Sequence, residues 1–171
     1  MGRTLWCGLG LLILAGACQT EIVEENSLYQ SCVGRLPDYD LIAERAKAKA
    51  AGEAASRHNA ELGFGDASKP QPETHVKPVL TSTPVVNFPV CAASVGVEGS
   101  CEVYHDVTKD GKAENIIAIC TSAFFVSEAK RTVGRFEYSP ASINGEAVAF
   151  KGVILPLKFV LEDDQSVTPE N

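Results

Sequence analysis

Six cysteines are the side chains of this 171-residue sequence with the clearest chemical use. Two of them, Cys101 and Cys120, flank alternating apolar and polar residues that turn at Asp110-Gly111. Asp-Gly between alternating strands predicts a two-residue hairpin loop, because glycine adopts the positive φ of a type I′ turn. If Lys109 pairs with Lys112, Cys101 lies opposite Cys120 in a hydrogen-bonded pair, with Cα atoms about 5.5 Å apart. This geometry predicts a disulfide, with two reduced and buried cysteines as the alternative.

The N-terminal residues predict export from the cytoplasm. Residues 1–17 combine a positive charge at Arg3, an uncharged, mostly apolar run and the small residues Ala15-Gly16-Ala17, as a bacterial signal peptide does. The apolar run is shorter than the roughly 20 residues that a membrane-spanning helix needs. The sequence that ends in Cys18 also resembles a lipobox, which predicts a lipid on Cys18. Secretion of the cleaved chain without lipid is the alternative.

Four cysteines remain once Cys7 and Cys18 are set aside, and they allow three complete pairings. The hairpin register selects Cys101–Cys120 and leaves Cys32–Cys91 as the complement. Export favours both bonds, because disulfides form and persist in oxidising compartments. Closing the loop between Cys101 and Cys120 would stabilise the fold by roughly 3 kcal/mol through the lost entropy of the unfolded chain.

Composition divides the chain ahead of the hairpin. Residues 18–37 are polar and acidic. Residues 38–62 are rich in Ala, Glu, Lys and Arg, which predicts a helix with Asp38 or Asp40 as its N-cap. Because this helix has no broad apolar stripe, we expect a solvated spacer. The glycines and prolines of residues 63–83 are typical of a semi-extended linker.

Residues 84–163 predict a small folded domain, followed by a polar tail at residues 164–171. Its expected elements are a helical turn around Ala92 and Ala93, strands at 100–108, 114–121 and 150–161, and a helix with Phe125, Ala129, Val133 and Phe136 on one face. Its expected core is Val103, Val107, Ile116, Ala118, that helix face and alternate residues of the last strand. We therefore expect an α+β fold with a small three-stranded antiparallel sheet and one main covering helix, preceded by a solvated helix and a linker.

Several function classes lack support in this composition. The chain has 15 Lys+Arg against 22 Asp+Glu, a formal net charge of −7, and no basic stripe with interleaved aromatics, so we expect no nucleic-acid partner. It has no Cys-x-x-Cys, His-Glu-x-x-His or glycine-rich phosphate loop, so we expect neither a metal nor a cofactor. Glu102 and Asp106 alternate onto the outer face of a strand, where we expect solvated surface, and His105 lies on its inner face as a structural residue. We expect no catalysis.

A series of short motifs runs in order through the C-terminal domain. They are Phe88-Pro89, Gly96-Val97-Glu98-Gly99, Val103, Asp106-Val107-Thr108, Asp110-Gly111, Asn115, Arg135 to Pro140, Asn144-Gly145, Gly152-Val153 and Pro156-Leu157-Lys158-Phe159. With this set the domain resembles the C-terminal domain of the TonB energy-transducer family. The resemblance covers under half of the chain. It implies an α+β domain in the periplasm of a Gram-negative bacterium.

The resemblance also implies a non-enzymatic role in TonB-dependent transport. In that family the domain recruits the TonB box, a short peptide of an outer-membrane receptor, as an added strand beside the last strand. An edge strand suits this, since its unpaired backbone groups accept a new strand, and Pro156 is tolerated only on an edge. The implied partner-binding residues are Asn87, Phe88, Pro89, Val153, Leu155, Leu157, Phe159 and Leu161.

The N-terminus departs from the family pattern. Energy transducers have an uncleaved transmembrane helix that couples to a proton-driven motor complex, and a long proline-rich stretch. Because the apolar run here is short, we expect a lipid on Cys18 as the membrane tether and no motor connection. One alternative is a complete energy transducer with an uncleaved N-terminal anchor. Another is a structural envelope lipoprotein that reuses the fold without energy transduction.

Overall fold

A computed structural model describes residues 30–34, 36–65, 74–82 and 86–161 of the chain. Contacts divide the chain into two units, residues 1–34, where 30–33 are helical, and residues 35–171. The predicted signal peptide, Cys18, most of the acidic segment and the polar tail lie outside the described residues. None of the described helices is both long and apolar enough to cross a membrane.

Helices and short antiparallel strands build the second unit. In chain order they are α1 (Leu41–Glu61), β1 (His75–Val76), β2 (Val79–Leu80), α2 (Val90–Ser94), β3 (Gly99–Val107), β4 (Ala113–Cys120), a 3₁₀ turn (Ala123–Phe125), α3 (Val126–Val133), β5 (Tyr138–Ser139), β6 (Ala141–Ile143), β7 (Glu146–Val148) and β8 (Phe150–Phe159). The main sheet has the order β4-β3-β8, and two smaller sheets have the orders β1-β6-β7 and β2-β5. The predicted α+β class and three-stranded antiparallel sheet are confirmed.

The core lies on one face of the main sheet. Side chains alternate along a strand, so Cys101, Val103, His105 and Val107 share one face of β3 and are all buried there. The 3₁₀ turn and α3 pack on this face, and they contribute the buried residues Phe125, Val126, Ala129, Thr132 and Val133. The predicted core residues are found here, although Ile116 is only half-buried.

The helix on the core face is shorter than its apolar pattern. The spacing of Phe125 to Phe136 predicts one continuous helix ended by Pro140, but α3 ends at Val133 with Gly134 as its C-cap. Glycine is a poor helix former, because it gains no packing and loses the most backbone freedom. Phe136 is nevertheless buried. The apolar pattern therefore continues past the end of the helix, where a turn still faces the core.

The turn of the β3–β4 hairpin differs from the predicted two-residue loop. The N–H of Thr108 donates to the Lys112 carbonyl at 2.9 Å, and the N–H of Gly111 donates to the Thr108 carbonyl at 3.0 Å. These bonds enclose a three-residue loop that ends at Gly111, whose φ of 76° places it in the left-handed region as such loops require. The pairing next to the turn is thus shifted by one residue from the expected register.

A bulge cancels this shift before the cysteines. Asn115 has a φ of 54°, and the register changes by one residue between Asp106 and Tyr104. Cys101 and Cys120 therefore face each other as predicted and form a disulfide, with Cα atoms 4.0 Å apart. The prediction that the cysteines form a hydrogen-bonded pair was wrong. The N–H of Thr121 donates to the carbonyl of Ser100, so the hydrogen-bonded pair is the one next to the cysteines. Cys101 and Cys120 are therefore a non-hydrogen-bonded pair. The Cys32–Cys91 pairing stays a prediction.

Helix α1 packs on the outer face of the main sheet, so the prediction of a solvated spacer was wrong. Of the two expected N-caps, Asp40 acts as the cap and accepts the N–H groups of Ile42 and Ala43. Ala48 and Ala55 are the buried residues of the helix. A Cβ built on Gly152 of β8 would lie 2.7 Å from the Cβ of Ala55, so helix and strand approach closely. A narrow stripe of small residues takes the place of a broad apolar face.

The described part of the predicted linker also belongs to the fold. Strand β1 pairs with β6, and strand β2 pairs with β5, so residues 75–80 add antiparallel strands to the region after α3. Phe64 is buried, and its ring makes edge-to-face contacts with His75 and Phe150 at centroid distances of 5.5 and 5.2 Å. Residues 66–73 and 83 lie outside the described residues.

Candidate functional site

Strand β8 is at the edge of the main sheet and, among the described residues, pairs only with β3. Residues of an antiparallel strand direct their N–H and C=O groups alternately to its two sides. Cys101 is in a non-hydrogen-bonded pair with Cys120 of β4, so its backbone groups point away from β4 and toward β8. Its partner on β8 is Leu157, whose backbone groups therefore point inward, toward β3. Because these directions alternate along β8, the backbone groups that point outward, away from β3, belong to Ile154, Pro156, Lys158 and Val160.

The outward residues form an open edge of about seven residues, residues 154–160, close to 20 Å long at 3.3 Å per residue. Ile154 and Val160 are 52% and 62% exposed, so apolar surface lies near both ends. Lys158 is exposed and carries a positive charge. Pro156 has no N–H, so at the centre of the open edge only a carbonyl is available.

Side chains from α1 close the edge on the N-terminal side of this stretch. Nδ2 of Asn59 donates to the carbonyl of Lys151 at 2.8 Å, and the N–H of Lys151 donates to Oδ1 of Asn59 at 3.2 Å. Nε2 of His58 lies 3.4 Å from the carbonyl of Ala149, the preceding outward position. After the open stretch, the N–H of Leu161 turns inward and donates to the carboxylate of Glu98 at 2.7 Å.

One carboxylate supports the bulges on both sides of the central strand. Asp106 of β3 accepts Nδ2 of Asn115 at 2.9 Å and the backbone N–H of Gly152 at 3.0 Å. Gly152 has a φ of 74°, and the β3–β8 register shifts at this point. Lys151 and Ile154 are three positions apart, so strict alternation would point their backbone groups to opposite sides of β8. Because the bulge breaks this alternation, both residues point their backbone groups outward. Asp106 is therefore a structural residue rather than solvated surface, which corrects the prediction from alternation.

Comparison with known proteins identifies the domain that carries this edge. Residues 84–161 match the family described as Gram-negative bacterial TonB protein C-terminal. These residues belong to the TonB C-terminal family. The solution NMR structure of the Pseudomonas aeruginosa TonB C-terminal domain is similar with 24% sequence identity and a TM-score of 0.40, over 54% of this chain and 91% of that chain. No curated protein matches the chain. Membership implies a TonB-like role in transport, in a non-enzymatic family of the Gram-negative envelope.

The predicted partner-binding residues of β8 in the TonB C-terminal domain alternate with the outward residues, and their backbone groups face β3. Leu157 and Phe159 are buried, and Val153, Leu155 and Leu161 are half-buried. Toward an added strand these residues would form the non-hydrogen-bonded pairs, in which facing side chains lie close together. Their role in partner binding stays a prediction. The outward residues between them, and Asn59, are not among the residues predicted from the sequence. The period-two burial of the last strand was a signal for the former, because outward backbone groups belong to the residues that alternate with the buried ones.

The segment before α2 contributes one exposed and one packed residue to the TonB C-terminal domain. Asn87 is exposed. Phe88 is half-buried, and its ring packs edge-to-face on Phe125 and Phe159 at centroid distances of 6.0 and 6.2 Å. Pro89 is the N-cap of α2. Of these three predicted residues, Asn87 is the one whose side chain is open to a partner, while Phe88 fixes the segment against the core at the end of β8.

A buried polar pair occupies the core of the TonB C-terminal domain near the bulges. His105 is 1% exposed, and its Nε2 lies 2.7 Å from the hydroxyl of Tyr138. Its Nδ1 lies 3.4 Å from the carbonyl of Val103. Burial lowers the pKa of His105 and raises the pKa of Tyr138, because both charged forms lose their hydration. In a neutral His105 whose Nδ1–H donates to the Val103 carbonyl, Nε2 accepts a hydrogen bond from the Tyr138 hydroxyl. The pair fills the core as a structural element.

The described residues offer little else for chemistry. They contain no group of three or more His, Cys, Asp or Glu side chains that could hold a metal ion. Two half-open cavities flank α1: one of about 350 Å³ near Ser56 and Phe64, and one of about 200 Å³ between Gly52 and the sheet near Tyr104 and Lys151. The hydroxyl of Ser56, which lines the first cavity, donates to the Gly52 carbonyl. The open edge of β8 is thus the feature best suited to binding.

Proposed function

We propose that this chain is a non-enzymatic periplasmic protein that binds extended peptides of outer-membrane transport receptors, of the TonB-box type, by β-strand addition to β8. The observation that carries this proposal is the open edge at residues 154–160, on a domain of the TonB C-terminal family. Strand addition draws its affinity from backbone hydrogen bonds, which nearly any extended peptide can supply. The family match does not favour the alternative of a structural envelope lipoprotein.

The composition of the edge suits a transient partner. A long, flat, hydrophobic edge pairs readily with a second copy, and proteins limit this with short edges, prolines and charged side chains. The open edge is about seven residues long and carries both Pro156 and Lys158. The exposed side chains of Ile154 and Val160 supply apolar contact beside the backbone bonds. The edge therefore accepts a peptide while it resists permanent pairing.

A titration of the full chain tests the proposal at the level of single backbone groups. Isotope-labelled protein is mixed with receptor-derived TonB-box peptides, and the amide signals of β8 are followed by NMR. We expect the amides of Ile154, Lys158 and Val160 to shift and to gain protection from hydrogen exchange. Unchanged signals at these amides with every peptide would refute strand addition at this edge.

Two variants of one residue separate the backbone contribution from that of the side chain. Lys158→Pro removes an outward N–H without touching the bonds to β3, as Pro156 already does two residues earlier. Lys158→Ala keeps the N–H and removes only the charged side chain. Loss of one hydrogen bond should weaken peptide binding about fivefold in the proline variant, with a smaller change for alanine. Equal effects of both variants would contradict backbone pairing.

The membrane tether is part of the same proposal. We propose that the signal peptide is removed and that a lipid on Cys18 holds the protein at the membrane, without connection to a motor complex. Mass spectrometry of the mature N-terminus tests this. A diacylated Cys18 supports the proposal, whereas an intact Met1 supports an uncleaved anchor and overturns it.

A further inference from the structure

Helix α1 reaches both edges of the main sheet. Just before its N-cap, the hydroxyl of Tyr39 donates to the carbonyl of Cys120 at 2.8 Å and accepts the N–H of the same residue at 2.7 Å. Near its end, the amide of Asn59 makes the two corresponding bonds to Lys151. Cys120 is on the edge strand β4 and Lys151 is on the edge strand β8. The helix, together with the residue before its N-cap, thus satisfies both backbone groups of one residue on each edge.

The Asn59–Lys151 pair has the donor and acceptor pattern of a strand residue. A side-chain amide carries one carbonyl oxygen and N–H donors, as a backbone peptide group does. An added strand would offer Lys151 the same pair of bonds, so peptide and Asn59 compete for one position. Since the next outward residue toward the C-terminus is Ile154, this position directly borders the open edge.

Close packing holds Asn59 in place. Ala55, one turn before it, lies against Gly152, where even a methyl group would come within 2.7 Å of the alanine Cβ. The N–H of Gly152 is in turn fixed by Asp106 at 3.0 Å. The helix therefore cannot slide along β8 without disturbing the bulge. A side chain positioned by such packing keeps its hydrogen bonds at low entropic cost.

We propose that Asn59 is a specificity-determining residue: it ends the docking edge at Lys151 and so limits the length and register of an added strand. This inference rests on the proposed function, because it concerns the same edge. A bound peptide pairs with the outward groups of residues 154–160 and stops there. Residues that extend the peptide toward Lys151 gain no further backbone bonds in the native protein.

A series of peptides of increasing length tests the limit on the full chain. TonB-box peptides of about seven residues are lengthened by three residues at one terminus or at the other, and the affinities are measured by calorimetry. For the wild type we expect neither extension to gain from pairing at Lys151. In Asn59→Ala, the terminus that runs toward Lys151 should gain about fivefold in affinity for each of the two hydrogen bonds that it forms there. Asn59→Asp, which keeps the acceptor and loses the donor, should show a smaller gain.

Ser56→Ala is the matched control, because Ser56 is exposed on the same helix and its hydroxyl donates to the Gly52 carbonyl of that helix. It should reproduce the wild-type length dependence. Hydrogen exchange in the wild type needs no variant: the Lys151 amide should be protected without peptide and unchanged by it, while the Ile154 amide becomes protected on binding.

The outcomes separate this inference from the proposed function. An equal length dependence in the wild type and Asn59→Ala, or a Lys151 amide that exchanges as fast as that of Ile154, would overturn the role of Asn59 while leaving strand addition intact. Failure of every peptide to bind wild type and variants alike would overturn the proposed function, and the role of Asn59 with it.

Discussion

Replacing Gly152 with alanine would test whether α1 packs on the sheet as described. Gly152 has a φ of 74°, a conformation that strains an L-residue. The added Cβ would also lie 2.7 Å from the Cβ of Ala55, a separation that Cβ atoms do not tolerate. Gly152→Ala should therefore strain β8 and displace α1 together.

A second glycine allows the two effects to be separated. Gly145 has a φ of 83°, and no atom lies within 4 Å of a Cβ built on it. Gly145→Ala should lower the free energy of unfolding by the backbone cost alone, about 1–2 kcal/mol. Gly152→Ala should add an overpacking cost of about 1–3 kcal/mol, which makes about 2–5 kcal/mol in all. The difference between the two variants measures the contact between β8 and α1.

A double-mutant cycle with Ala55→Gly completes the test. Ala55→Gly costs about 1 kcal/mol of helix propensity by itself but removes the methyl group that meets residue 152. The coupling energy of the pair, read from urea unfolding followed by circular dichroism, should be at least about 1 kcal/mol in the direction of rescue. Equal losses for Gly152→Ala and Gly145→Ala, with no coupling to Ala55, would refute the close packing of α1 on β8.

Three further predictions concern His105 and the cysteines. Because burial lowers the pKa of His105 below its ordinary 6.5, the unfolded state binds a proton more readily, so the free energy of unfolding should fall as the pH drops below about 6.5, and His105→Phe should flatten this dependence. Replacing Cys101 and Cys120 together by alanine should lower the free energy of unfolding by about 3 kcal/mol. The Cys32–Cys91 pairing predicts that a non-reducing digest contains a peptide linking these two residues.

A different result would contradict each of these three predictions. The pH dependence is judged as the difference between wild type and His105→Phe, so that other titrating groups cancel; parallel curves would show that His105 is not buried in its neutral form. If the double alanine variant unfolds like the wild type, the disulfide contributes no stability. A digest in which Cys91 is linked to Cys101 or Cys120 would contradict both predicted pairings.

The main sheet was readable from the sequence, because strands with one buried face alternate strictly. Strands β3 and β8 were predicted to within two residues of their ends. The length of the β3–β4 turn could not be predicted, since a two-residue loop gives the same register at Cys101 and Cys120 as a three-residue loop followed by a bulge. The pairing of the cysteines was thus predicted correctly, although the hydrogen-bonded character of the pair was not.

The position of α1 could not be read in the same way. An amphipathic helix is recognised by large apolar residues on one face, whereas the buried residues of α1 are Ala48 and Ala55. Such a stripe looks like a solvated helix until its partner is known, and the partner here is Gly152, almost a hundred residues later. Asn59, which closes one end of the open edge, depends on this packing, so it could not be found from the sequence, whereas the last strand was recognisable as an edge strand.

The packing of α1 also moves the start of the folded unit. The family match begins at residue 84, yet the contacts that complete the sheet begin at Tyr39. A fragment cut at the family boundary would leave Cys120 and Lys151 without their side-chain partners and would uncover the small-residue seam on the outer face. Such a fragment should exchange strands between copies and self-associate. That behaviour would come from the cut, and would not describe the intact chain.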